Sequence, residues 1–81
     1  MEKEIKTLAT EKKKPKIHQP VWLIDPWTSE IIIAYIVNVN DDTVYIQSLD
    51  EPSKKFFKKY KDVFVDEESA ILYLRKKEGR D

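Results

Sequence analysis

Residues 30–49, EIIIAYIVNVNDDTVYIQSL, carry a long run of apolar, largely β-branched positions, then a polar Asn-Asp-Asp break and a shorter alternating run, a pattern that predicts two strands joined by a tight turn. In the first strand, Glu30 to Val39, the odd positions Ile31, Ile33, Tyr35, Val37 and Val39 point one way and Ile32, Ala34 and Ile36 the other. Polarity reaches the even face only at Asn38. Such a strand spans about 33 Å and needs cover on both faces. A bent strand serving two halves of a barrel supplies that cover, as does a helix on the outer face. Left uncovered, Ile32, Ala34 and Ile36 would form an interface for a partner or a second copy of the chain. Asn40-Asp41-Asp42 suits the turn, because these side chains tolerate left-handed backbone and bond to it locally. Thr43 to Leu49 then returns antiparallel, with Val44 and Ile46 on one face and Tyr45 and Gln47 on the other.

Upstream, Ile17 to Asp25 (IHQPVWLID) predicts a first strand with Pro20 at its start or edge, since proline donates nothing to a ladder. The following loop, Asp25-Pro26-Trp27-Thr28-Ser29, has its shape set by proline. Residues 1–16 offer only Ile5 and Leu8 as apolar anchors. One turn of helix carrying two such residues does not hold in water, so this stretch is expected to be a disordered, mildly basic tail. The folded domain is accordingly expected over residues 17–78.

Residues 50–62, DEPSKKFFKKYKD, read two ways. As a helix, Pro52 sits in the first turn and Phe56, Phe57 and Tyr60 share a face. As a strand, Phe56 and Tyr60 share a face interrupted by Lys58. A sheet built on one hairpin and a short first strand needs more strands, which favours a turn followed by a strand. Val63-Phe64-Val65 follows as a short strand. A C-terminal helix is expected from Glu67 to Glu78: Asp66 caps it, acids open it, Arg75, Lys76 and Lys77 close it, and Gly79 stops it. Ala70, Ile71 and Leu74 form its packing stripe, widened by Leu72 and Tyr73.

Composition narrows the functional classes. The chain has 81 residues and no cysteine, so neither disulfides nor thiolate metal sites brace it. Its single histidine, His18, lacks carboxylates at ligand spacing, and no metal or cofactor is expected. No apolar run reaches the length of a membrane span or a signal peptide, so a cytoplasmic protein without membrane contact is expected. Net charge is zero but unevenly spread. Residues 17–53 contain no Lys or Arg, and basic residues gather in the first sixteen positions, Lys54 to Lys61 and Arg75 to Lys77.

The order strand, loop, long strand, tight turn, strand, basic segment, short strand, helix resembles a small SH3-like barrel of the KOW or Tudor type. The fold class implied is mainly β (α+β), about five antiparallel strands with a C-terminal helix across one opening. The PVWLID strand and the VFVDEESAILYL junction are also similar to small uncharacterised proteins of bacterial and phage genomes. The resemblance covers residues 17–74. A KOW motif carries a glycine in its central turn, whereas Gly79 is the sole glycine of this chain, so KOW function does not transfer. Tudor domains use an aromatic cage, for which Trp22, Trp27, Tyr35 and Tyr45 are the candidates the resemblance implies.

The chain carries no nucleophile elbow, phosphate loop or paired catalytic acids, and the serines have only His18 as a base; a non-catalytic binding module is expected. In SH3-like barrels the loop after the first strand often borders the ligand groove. Here it bears Trp27 beside Asp25 and Glu30, with Tyr45 as a further candidate, and suits a protein segment with apolar and basic groups. In the competing arrangement Trp27 folds inward and caps the barrel. A second functional reading is nucleic-acid binding through Lys54, Lys55, Lys58, Lys59 and Lys61, interleaved with Phe56, Phe57 and Tyr60 and assisted by the basic tail. Against it, a domain this small needs those aromatics in its core, and its net charge is zero. A third reading, from the phage-like resemblance, is a mobile-element protein that blocks a host protein. Either a monomer or a homodimer is compatible with the sequence.

Overall fold

The structure, a computed structural model, describes residues 5–11 and 13–77. It is mainly β. Strands β1 (Pro20–Ile24), β2 (Ile31–Val39), β3 (Thr43–Ser48) and β4 (Lys55–Lys59) form one antiparallel sheet in the order β1-β2-β3-β4. A 3-10 turn (Tyr60–Asp62) and a helix, α1 (Glu67–Lys77), follow. The expected continuation of the helix to Glu78 and its stop at Gly79 lie outside the described residues, as do residues 1–4 and Lys12 of the expected tail.

The hairpin forms as the sequence pattern predicts, with one departure. Ile36 pairs with Ile46 but Asn38 with Tyr45, so Val37 is an extra residue, a β-bulge. The bulge reverses the phase of β2. Ala34 and Ile36, on the even face, are buried before it, whereas Val39 packs against the core after it and Asn38 is exposed. At the turn Asn40 N–H donates to Thr43 O (2.8 Å), and the Tyr60 hydroxyl donates to Asn40 O (2.6 Å).

β1 begins at Pro20, not at Ile17. His18 has φ 72°, which breaks the extended run, although its N–H still donates to Ile36 O (2.7 Å). Residues 55–59 form a strand, not a helix. β3 would otherwise be an open edge, and pairing Tyr45 with Phe57 and Ile46 with Phe56 satisfies it.

Four strands are present among the described residues where about five were expected. Val63–Val65 contributes an isolated bridge in which Phe64 exchanges two backbone bonds with Trp22 (2.8 and 3.0 Å). The other edge of Phe64 takes Thr7, flanked by Leu8 N–H to Val63 O (2.9 Å) and Val65 N–H to Lys6 O (3.2 Å). Residues 6–8 thus depart from the expected tail: Thr7 is buried and Leu8, 3% exposed, belongs to the main core. A short apolar segment that cannot sustain a helix alone can be held as an extended strand when a partner offers an unpaired edge, and Val63–Val65 offers one.

That core comprises Leu8, Val21, Leu23, Ala34, Ile36, Val44, Ile46 and Val63, with Ile32, Val39, Phe56, Tyr60 and Val65 against it. α1 packs on β1 and β2. Phe64 and Ala70 are buried outside the main core, and the Phe64 ring lies 5.4 Å from that of Tyr73. Asp66 caps the helix as expected, accepting from Ser69 N–H (2.7 Å). The packing stripe is shifted from the expected one: Ser69 and Ala70 are buried and Leu72 and Leu74 half-buried, while Ile71 is exposed. Ser69 is tolerated inside because its hydroxyl accepts from Lys6 N–H (2.8 Å). No described helix is long and apolar enough to cross a membrane.

Candidate binding surface

The loop between β1 and β2 is fixed by its own hydrogen bonds. The Asp25 carboxylate accepts from Trp27 N–H (2.7 Å) and Thr28 N–H (3.3 Å), the geometry expected of an Asp that starts a turn. Ser29 N–H donates to Asp25 O (2.8 Å), and Asp25 N–H donates across the loop base to Glu30 O (2.9 Å). Ser29 takes φ 59°, a left-handed conformation that the surrounding bonds hold in place. Trp27 is 91% exposed, so its ring does not fold inward to cap the sheet.

The other residues singled out from the sequence do not all converge on this loop. Glu30 is exposed at its base, while one Asp25 oxygen is spent on the loop amides. Tyr45 pairs with Asn38, far along β2: from Ile31 to Asn38 the strand runs about 23 Å. Its ring partner is Phe57, at 4.7 Å. The cage candidates of the Tudor resemblance are not ring partners of one another. Among the described residues the ring pairs are His18–Tyr35, Tyr45–Phe57 and Phe64–Tyr73, and no two of Trp22, Trp27, Tyr35 and Tyr45 are partners.

The lysines of residues 54–61 divide between surfaces. Lys54 lies in the β3–β4 connection and pairs with Glu51 (3.6 Å). Lys55 and Lys59 share the Phe57 face of β4, beside Tyr45. Lys58 points to the opposite face, registered with buried Val44 and itself half-buried. Together with Lys61 of the 3-10 turn and Lys77 of α1, it lines a groove of about 250 Å³ that Pro26 walls on the loop side. The sequence signalled Lys58 and Lys61 as part of a basic run; Lys77 joins them only through the packing of α1, which no spacing along the chain encodes. Phe57, 54% exposed, also contradicts the expectation that the aromatics of this segment are core residues; Phe56 and Tyr60 are half-buried against the core. The strand reading itself carried the signal, since alternation from half-buried Phe56 turns Phe57 outward with Lys55 and Lys59.

Tyr60, on the other side of the 3-10 turn, titrates above its ordinary value of 10.0, chiefly because burial disfavours the phenolate and further because Asp41 and Asp42 stand nearby. No group of three or more His, Asp or Glu residues capable of holding a metal occurs among the described residues. Comparison with protein-family models, with curated proteins and with solved structures gives no significant match.

Proposed function

We propose that the chain is a small non-catalytic binding module that engages a protein partner through the loop after β1, with Trp27 as the anchoring side chain. One observation carries the reading: a tryptophan 91% exposed to water stands on a loop whose conformation is already fixed by hydrogen bonds. An exposed indole leaves a large apolar area to be buried on contact, and a pre-ordered loop reduces the entropy lost in binding. The chain path supports an SH3-like barrel reading in which Val63–Val65 acts as a fifth strand. After β4 a 3-10 turn returns the chain to the free edge of β1, where Phe64 bridges to Trp22. In that architecture the loop after the first strand borders the ligand groove. The test is affinity capture from the native host with wild-type and Trp27→Ala protein. A partner held by wild type and lost by Trp27→Ala, with unchanged melting, supports the reading; equal capture by both proteins refutes it.

A second reading, single-stranded nucleic acid on the β3–β4 face, is favoured by the exposed Tyr45–Phe57 pair flanked by Lys55 and Lys59. A mobility shift that falls steeply with salt and is lost in Phe57→Ala supports it; no shift at low salt ends it.

A further inference from the structure

The groove beside the Trp27 loop has an electrostatic character opposite to that of the loop. Lys58 enters it from β4, Lys61 from the 3-10 turn and Lys77 from the last turn of α1; Asp62 is its sole acidic lining residue. None of these lysines has an ion-pair partner among the described residues, in contrast to Lys54 with Glu51. Three lysines lining one concavity with no ion-pair partner among the described residues, Lys58 half-buried, repel one another as like charges and concentrate a positive potential there. An anion in the groove relieves that repulsion. The remaining lining is largely apolar: Leu23, Ile24, Pro26, Phe64 and Tyr73.

We infer that the partner segment recognised at the Trp27 loop is acidic, an extended peptide presenting an aliphatic or aromatic residue flanked by Asp or Glu, with its carboxylates on Lys58, Lys61 and Lys77. The inference rests on the reading that this loop is the docking site, and it reverses the partner charge that Asp25 and Glu30 suggest by themselves. Asp25 already directs a carboxylate oxygen to the Trp27 and Thr28 amides, which leaves it less able to recruit a cation from a partner. A protein segment fits better than a nucleic acid. A phosphodiester chain carries a charge at every nucleotide and would run past Asp25, Glu30 and Asp62 as it left the groove, whereas a peptide can place its few carboxylates on the lysines alone. The apolar lining of the groove and the neighbouring Trp27 ring then receive the side chain between them.

The test selects peptides from a random display library on the full chain, then measures fluorescence anisotropy of the selected peptides and of an oligothymidylate against wild type, Trp27→Ala and Lys61→Gln/Lys77→Gln. The selected sequences should combine Asp or Glu with an apolar residue. Their affinity should fall about tenfold in the lysine variant at low salt, with the difference shrinking as salt rises. A charge-swapped, lysine-bearing peptide should bind Lys61→Glu/Lys77→Glu more tightly than wild type, which a merely structural role for these lysines would not produce. Basic or neutral peptides that still depend on Trp27 would overturn the inference and leave the docking loop standing, as would acidic peptides indifferent to the lysine variants. Oligothymidylate binding that depends on Lys61 and Lys77 would overturn it in favour of nucleic acid. If no selected peptide depends on Trp27, the docking-loop reading fails and the inference falls with it.

Discussion

Replacing Leu8 by alanine tests the most consequential difference between the pattern along the chain and the folded molecule. Leu8 is 3% exposed and packs in the main core, yet it sits in a segment that local physics alone leaves unanchored. Burying a leucine side chain is worth about 1.5–3 kcal/mol, and leucine-to-alanine changes in cores cost about 2–5 kcal/mol once the residual cavity is included. The value here belongs near the lower end, about 2 kcal/mol. Residues 6–8 are held by the pairing with Val63–Val65 and by the Lys6 N–H to Ser69 hydroxyl bond, so they can detach locally instead of leaving a full cavity. A domain of this size has a margin of only about 3–5 kcal/mol, so the loss is large in proportion. Urea denaturation should show a lower midpoint with an unchanged slope. Ile17→Ala, at a half-exposed side chain outside the core, serves as the control and should change stability by no more than about 0.5 kcal/mol. If Leu8→Ala matched that control, the N-terminal segment would not be docked, and the pairing of Thr7 with Phe64 would be wrong.

Three further outcomes follow from local geometry. Asp66→Ala removes the carboxylate that accepts from Ser69 N–H and should cost about 1 kcal/mol by thermal or urea unfolding, while Asp66→Asn should retain most of the stability. A double-mutant cycle on Tyr45 and Phe57, each changed to alanine, should give a favourable coupling of about 0.5–1.5 kcal/mol; zero coupling would mean the tilted rings do not interact. Because folding raises the Tyr60 pKa above 10.0, the unfolded chain loses this proton first as pH rises. Its contribution to stability is therefore complete below pH 10.0 and is lost as pH climbs through the folded value. Tyr60→Phe should flatten that alkaline decline while costing about 1 kcal/mol at neutral pH through loss of the bond to Asn40 O.

The hairpin and the capped helix were legible because their determinants are local: the β-branched apolar run of β2, alternation in β3, Asn-Asp-Asp at the turn, and Asp66 ahead of an acidic first turn. The Trp27 loop was legible as a candidate site for the same reason, since Asp25 and Pro26 shape it from within. What the pattern did not disclose depends on partners remote in sequence. Ser69 reads as a solvent residue until Lys6 supplies its hydrogen bond, and Leu8 reads as part of a tail until Phe64 offers a strand edge. Lys77 reads as a helix-terminal charge until α1 brings it beside Lys58 and Lys61. Tyr45 resembles Trp27 in residue type, and only the register, which pairs it with Asn38 and Phe57, separates the two.

The bulge at Val37 connects the doubly apolar β2 to the groove. Without the extra residue the alternation would be cleaner, with Ile32, Ala34, Ile36 and Val39 all on one face and Asn38 on the other, so binary pattern gives no reason to retain Val37. A reason lies in curvature, since a bulge bends its strand and increases the local twist. In a flat sheet β1 and β4 would stand about 14 Å apart, three strand spacings. Yet Leu23 of β1 and Lys58 of β4 line one groove, and side chains of all four strands pack into or against one core, so the sheet is strongly curved. That curvature lets the 3-10 turn return the chain to Phe64 beside Trp22, and α1 then packs on β1 and β2, while Ile33 of β2 stays 39% exposed. Deleting Val37 should thus preserve the ideal pattern while destabilising the protein by about 2 kcal/mol or more, through lost contacts at Val63 and Phe64. Hydrogen exchange should show the Trp22 and Phe64 amides losing protection before those of the β2–β3 ladder. A deletion variant with unchanged midpoint and equal protection at Trp22 and Phe64 would show that the bend is incidental, and that twist inherent in the strands closes the groove unaided.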